Sequence, residues 1–204
     1  MKILISRSYW IKGILLFTTT LMLLVIAIAP AAAAPFLENG NRLTMFFSWD
    51  HVGSGNFGDN GYESFTGTAC GVAFPVGFAN VGFKTTFDTS EGYYEIFSDF
   101  NGNENLFMNV SLLHMKDKAG NSVAIARFGA SRPLVMDLDQ GGRIDCTFGP
   151  GLSVISTDNA TNLSMFLQAK TKVYFMEGSF IYANGLYDFM YKAANVELGI
   201  GFSY

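Results

Sequence analysis

The chain is short of charge, of histidine and of cysteine. Only 15% of its 204 residues are charged, and 13 Lys and Arg stand against 17 Asp and Glu. That balance cannot build the basic face a nucleic-acid partner requires. Two histidines, His51 and His114, and two scattered cysteines, Cys70 and Cys146, are too few for a zinc site, and no other metal or cofactor is implied. The cysteine spacing leaves open a disulfide or a pair of free thiols. Long amphipathic helical patterns, repeats, low-complexity segments and internal domain boundaries are also lacking. A chain of this length supports one domain.

The one long apolar run lies at the N-terminus. Lys2, Arg7 and Lys12 precede GILLFTTTLMLLVIAIA, residues 13 to 29, which is followed by Pro30 and four alanines. A basic start, an apolar stretch and small residues at A-x-A spacing predict a secretory signal peptide. Cleavage is expected after Ala33, because a cut after Ala34 would leave Pro35 at the new N-terminus. Residues 1–33 are thus read as the signal peptide and 34–204 as the mature domain. The alternative is an uncleaved anchor, since 17 residues sit at the lower limit for a span. All 17 acids lie beyond the cut and three of the bases lie before it, so the mature chain is more acidic than the formal −4 of the whole.

Alternation dominates the rest. Leu43, Met45, Phe47 and Trp49 share one face, with Thr44, Ser48 and Asp50 opposite. Val81, Phe83, Thr85 and Phe87 oppose Gly82, Lys84, Thr86 and Asp88. Leu106, Met108, Val110 and Leu112 share a face. From 162 to 175, Leu163, Met165, Leu167, Ala169, Thr171, Val173 and Phe175 oppose Asn162, Ser164, Gln168, Lys170, Lys172 and Tyr174, with Phe166 alone out of place. Between such runs lie GSGNFGDNG, DTSEG, NGNEN, KDKAGN, DQGG, STDNATN and MEGS, whose Gly, Asn and Asp reverse a chain. The uncharged stretch from Ser64 to Phe83 contains Pro75 and four glycines, so it reads as two strands turning at PVGFA and not as a membrane helix. The mature chain is all-β.

A soluble sandwich buries its apolar face, whereas a transmembrane barrel turns that face to lipid. Long strands and abundant Phe and Tyr favour the barrel. The last nine residues, VELGIGFSY, add to this: Val196, Leu198, Ile200, Phe202 and Tyr204 alternate with Glu197, Gly199, Gly201 and Ser203. Gly199, Phe202 and Tyr204 in this pattern resemble the C-terminal signature of small bacterial outer-membrane β-barrel proteins, whose last strand is read by the barrel-insertion machinery. The resemblance implies a closed antiparallel up-and-down barrel, outer-membrane localisation after export, and contact with outer-membrane lipid. Closure pairs the last strand with the first, which makes a terminal strand without a tail the expected ending. Eight strands are favoured and ten are possible. At eight, side chains just fill the interior.

The candidate site is then the lumen. Lys84, Lys170 and Lys172 against Asp50, Asp88 and Glu197, with Glu95 and Arg127 as further members, read as a network of paired charges that closes it. The expected protein is non-enzymatic, its activity borne by loops in envelope integrity, adhesion or binding of a partner the sequence does not name. A narrow pore for small or hydrophobic solutes, or a soluble secreted β-barrel or sandwich, is the alternative. Several motifs are weaker. Gly53–Gly58 matches G-x-G-x-x-G but lacks the strand–helix context of a dinucleotide site, and reads as an extracellular loop. Asp99 to Glu104 and Asp137 to Gly142 read as hairpin turns and not calcium loops. His51 and His114 fall near the upper strand ends without the nucleophile–base spacing of a lipid-modifying hydrolase.

Overall fold

The computed structural model describes residues 42–57, 60–76, 79–87, 92–103, 106–116, 120–138, 142–176 and 178–204. The expected signal peptide, Asp88, Gly58, Glu104 and residues 139–141 lie outside them. The strands are β1 (Thr44–Val52), β2 (Gly55–Phe57), β3 (Asn60–Tyr62), β4 (Phe65–Val76), β5 (Ala79–Thr86), β6 (Tyr93–Asn103), β7 (Leu106–Lys116), β8 (Ser122–Asp137), β9 (Arg143–Ser156), β10 (Thr161–Met176), β11 (Ser179–Asp188) and β12 (Ala193–Ser203). Ten form a closed barrel in the order β1-β12-β11-β10-β9-β8-β7-β6-β5-β4, every neighbour antiparallel. β2 and β3 form a separate hairpin within the first long connection. The strand number is the ten held as possible, not the favoured eight.

The strand that the turn clusters hide is easy to identify. β11 and β12 are joined by Phe189-Met190-Tyr191-Lys192, which carries no Gly, Asn or Asp. Two other devices make that turn. The Asp188 carboxylate accepts the Tyr191 N–H at 3.0 Å, and Lys192 takes a positive φ of 54° that glycine usually supplies.

Closure is completed by β1 and β12, paired from Thr44↔Ser203 to Val52↔Asn195. Beyond the ladder, the Tyr204 N–H donates to the Leu43 carbonyl at 2.9 Å. The β4–β5, β6–β7, β8–β9 and β10–β11 pairs are joined at the end where Thr44 pairs with Ser203, and the longest connection, 53–64 between β1 and β4, lies at the other end.

The register places the apolar residues outside. Met45, Phe47, Trp49, Phe83, Leu163, Met165, Phe175, Val196, Leu198 and Ile200 are exposed on the outer wall. Ser48, Asp50, Lys84, Asn109, Ser111, Ser153, Ser164 and Gln168 are buried on the inner one. A water-soluble fold is arranged the other way round. Outward rings gather at the loop end, where Trp49 stacks on His51 and Tyr94 on His114 at 6.3 and 4.9 Å between centroids. At the other end Phe74, Phe148, Phe175 and Tyr204 are exposed. Cys70 on β4 and Cys146 on β9 are free thiols that both face outward. Their strands sit five places apart in a ring of ten, so no disulfide can join them.

Candidate functional site: the lumen

The lumen has two unlike halves. The half toward the long connections is a dry apolar plug. Val52, Phe65, Tyr93, Leu113, Met115, Val123, Ile125, Ile155 and Ala193 point inward from the wall, and Tyr62 and Tyr191 close over them. The β2–β3 hairpin supplies Tyr62. It is tied to the last turn by Asn56 N–H to the Tyr191 carbonyl at 3.2 Å, and by Gly53 N–H to the Ala194 carbonyl at 2.9 Å. Tyr62 and Tyr191 rings lie 5.8 Å apart. Burial pushes the Tyr62 phenol up to about 12, against a smaller opposing pull from Arg127. The G-x-G-x-x-G segment thus continues into a hairpin that lids the barrel, and no helix follows it.

Below the plug lies the charged layer. The Lys84 ammonium stands 2.9 Å from Glu197, 3.5 Å from Glu95 and 3.6 Å from Asp50. Tyr93 donates its hydroxyl to Asp50. Tyr182 and Asn184 each donate to Glu197 at 2.9 Å. Lys170 pairs with Asp99 at 3.2 Å, and Arg143 with Asp145 at 2.6 Å. Lys172 has no carboxylate partner among the described residues and lies 5.2 Å over the Phe180 ring. A second, uncharged network joins Gln168 to Asn109 at 2.6 Å and to Ser131 at 2.9 Å. Asp188 accepts from Ser153 at 2.8 Å and from Ser164 at 2.5 Å.

Of the residues singled out in the sequence, the structure therefore brings Asp50, Lys84, Glu197 and Glu95 into one cluster. Lys170 and Lys172 lie elsewhere on the lumen wall, and Asp88 lies outside the described residues. Asp99 is not a turn residue. β6 continues to Asn103, and the carboxylate points into the lumen at Lys170. His51 hydrogen-bonds Thr66 at 2.8 Å and His114 hydrogen-bonds Ser122 at 2.9 Å. Both are on the outer wall, and Asp50, one residue from His51, points the opposite way. Among the described residues no group of His, Cys, Asp and Glu is placed to hold a metal ion.

The third feature is a set of aromatic rings laid flat on glycines. Phe46 covers Gly71, Phe97 covers Gly82, Phe166 covers Gly151, Phe180 covers Gly201 and Tyr182 covers Gly199. Each ring and glycine are direct cross-strand partners. A Cβ on Gly199 would come within 2.6 Å of the Tyr182 ring. Rings shielding glycine backbone in this way stabilise strand pairing. They also explain Phe166, which faces inward with the polar residues of β10 because Gly151 leaves it a seat.

Rings pressed to the wall leave the axis free. A ten-stranded barrel is also wider than the eight-stranded one that side chains just fill. A cavity of about 200 Å³ results, running from Thr44, Ala73 and Phe180 at the terminus end up to Val52 and Leu113 under the plug. Its lining side chains range from 23% exposed at Lys170, through 18% at Asp99 and Glu197, to 6% at Lys84.

No protein-family model and no curated protein matches the chain. Solved structures that it resembles include the β domain of the Bordetella autotransporter Brka, at 9% identity and a TM-score of 0.47 over 80% of this chain and 98% of that one. Neisserial surface protein A (NspA) aligns at 12% identity and a TM-score of 0.41, over 79% of this chain and 95% of that one. Ail, the attachment invasion locus protein of Yersinia pestis, aligns at 10% identity and a TM-score of 0.37, over 80% and 97%.

Proposed function

We propose that the chain is a small, non-enzymatic outer-membrane β-barrel protein of a Gram-negative-type envelope. Residues 1–33 serve as its signal peptide, and Gly199, Phe202 and Tyr204 as the signature read by the insertion machinery. The observation that carries this reading is the radial inversion, apolar side chains outside and polar ones inside around a closed ring. Such a wall is stable only against hydrocarbon. The longer connections then face the outside of the cell and the short turns the periplasm. The dry plug blocks the axis, so the barrel does not conduct. Its outward activity, in envelope integrity, adhesion or partner binding, belongs to the long-connection end.

The test is fractionation of a Gram-negative expression host and a denaturing gel with and without boiling, followed by planar-bilayer recording. An outer-membrane band that shifts on heating, with no channel conductance, is expected. A soluble protein with no shift overturns the barrel reading. Steady conductance by the native protein favours the second reading, a narrow pore, for which the lumen cavity speaks.

A further inference from the structure

The charges lining the cavity are sorted by wall. Asp50 of β1, Glu95 of β6 and Glu197 of β12 surround the one ammonium of Lys84. Arg127 of β8 and Lys172 of β10, neither with a carboxylate partner among the described residues, line the same cavity, as does the Lys170–Asp99 pair. β8 is five places from β1 in the ring of ten, so the guanidinium arises across the lumen from Asp50, and two places from the β6 strand of Glu95. Each wall is left with charge to spare. Three carboxylates share one cation, and Asp50, 3% exposed, has an Oδ1 with no hydrogen-bond partner among the described residues. Arg127 has no carboxylate within ion-pair distance among the described residues. Its planar fork of donors is built to grip a carboxylate from two directions.

Uncompensated charge in a low-dielectric interior is costly. A lone cation would offset the acidic wall and leave Arg127 unmatched. A lone anion would match Arg127 and face three carboxylates. We propose that the lumen cavity binds a small zwitterion, an amino acid or short peptide, with its ammonium at Asp50, Glu95 and Glu197 and its carboxylate in the fork of Arg127. The volume suits this class: a cavity of ~150 Å³ holds one benzene, and this one is about 200 Å³. Phe46 and Phe97, flat on the wall with ring centroids 5.9 Å apart, line the same space and take the apolar part of the ligand. The ligand enters from the terminus end, because the plug closes the other.

The site requires a closed barrel, so its test uses full-length protein extracted from the membrane that shows the heat shift. A negative result then bears on the site and not on the barrel. Calorimetric titration compares alanine and alanyl-alanine with N-acetyl-alanyl-alanine, which lacks the ammonium, and alanyl-alanine amide, which lacks the carboxylate. At least one zwitterion is expected to bind, and each capped peptide to bind at least about tenfold more weakly than alanyl-alanine. Asp50→Asn should erase the cost of acetylation and Arg127→Gln the cost of amidation. Absence of binding by both zwitterions overturns the proposal. So does an amide that binds as tightly as the free peptide, which would make the site one for cations only. If a substituted protein loses its heat shift, the series on the native protein decides alone.

Discussion

The two halves of the lumen solve one packing problem in opposite ways. Near the long connections, large apolar side chains converge on the axis and Tyr62 and Tyr191 lid them, leaving a dry core. Toward the termini, Phe46, Phe97, Phe180 and Tyr182 lie back on glycines, and the axis is left to charges and a cavity. The difference comes from which residue sits across the strand from each ring. A ring opposite glycine can fold down against backbone, whereas one opposite a larger side chain must stand up into the lumen. The upper half packs like a small apolar core inside a wall whose outer face is also apolar. The lower half keeps a polar chamber at the same diameter.

The largest effect should come from Lys84→Met, which leaves Asp50, Glu95 and Glu197 buried without their cation. A loss of ~3–5 kcal/mol is expected from urea unfolding in detergent, to the point of failed assembly. Tyr191→Ala attacks the other half. It opens a hole in the plug and removes the hydroxyl that accepts from Asn162 at 3.0 Å. We expect a loss of about 3 kcal/mol and, combined with Tyr62→Ala, a conductance in planar bilayers above that of the native barrel. Gly151→Val asks a ring that lies down to stand up, for about 1–3 kcal/mol. The same substitution at Gly120, where a Cβ would meet nothing within 4 Å, tests positive φ alone and should cost less. Glu95→Gln removes one of the surplus carboxylates and should change stability by under ~1 kcal/mol. A large loss there would mean that all three carboxylates are needed to hold Lys84.

The smallest effect is one of pH at the lid. The Tyr62 phenol has a folded value raised to about 12 by burial, against ~10 in an unfolded chain. Its contribution is complete below about pH 10 and is lost as pH rises toward 12, when the buried phenol must ionise. Protease access to the first long connection should increase across that window, and Tyr62→Phe should remove the dependence.

Much of this was legible in the sequence. The turn at PVGFA, the faces of β1, β5, β7, β10 and β12, and the inward direction of Asp50, Lys84 and Glu197 all follow from a period of two. Three things were not. The β11–β12 turn carries no glycine or asparagine, so the strand count could not be read reliably. Segment 53–61 has the composition of a loop, and only Tyr62, seated among residues from distant strands, makes it a lid. Phe166 breaks the alternation for a reason that lies on β9. Arg127 could be named as a lumen charge, but which wall it stands on depends on closure.

The sequence by itself determined the local state of each segment, strand or turn, and which side chains share a face, because alternation and turn chemistry act over a few residues. The tertiary structure alone decided the number of strands, the division of the lumen into a plug and a chamber, and the sorting of charge between opposite walls. These depend on register around a closed ring, where residues far apart in the chain become neighbours and a single shift of one residue would turn a face inside out.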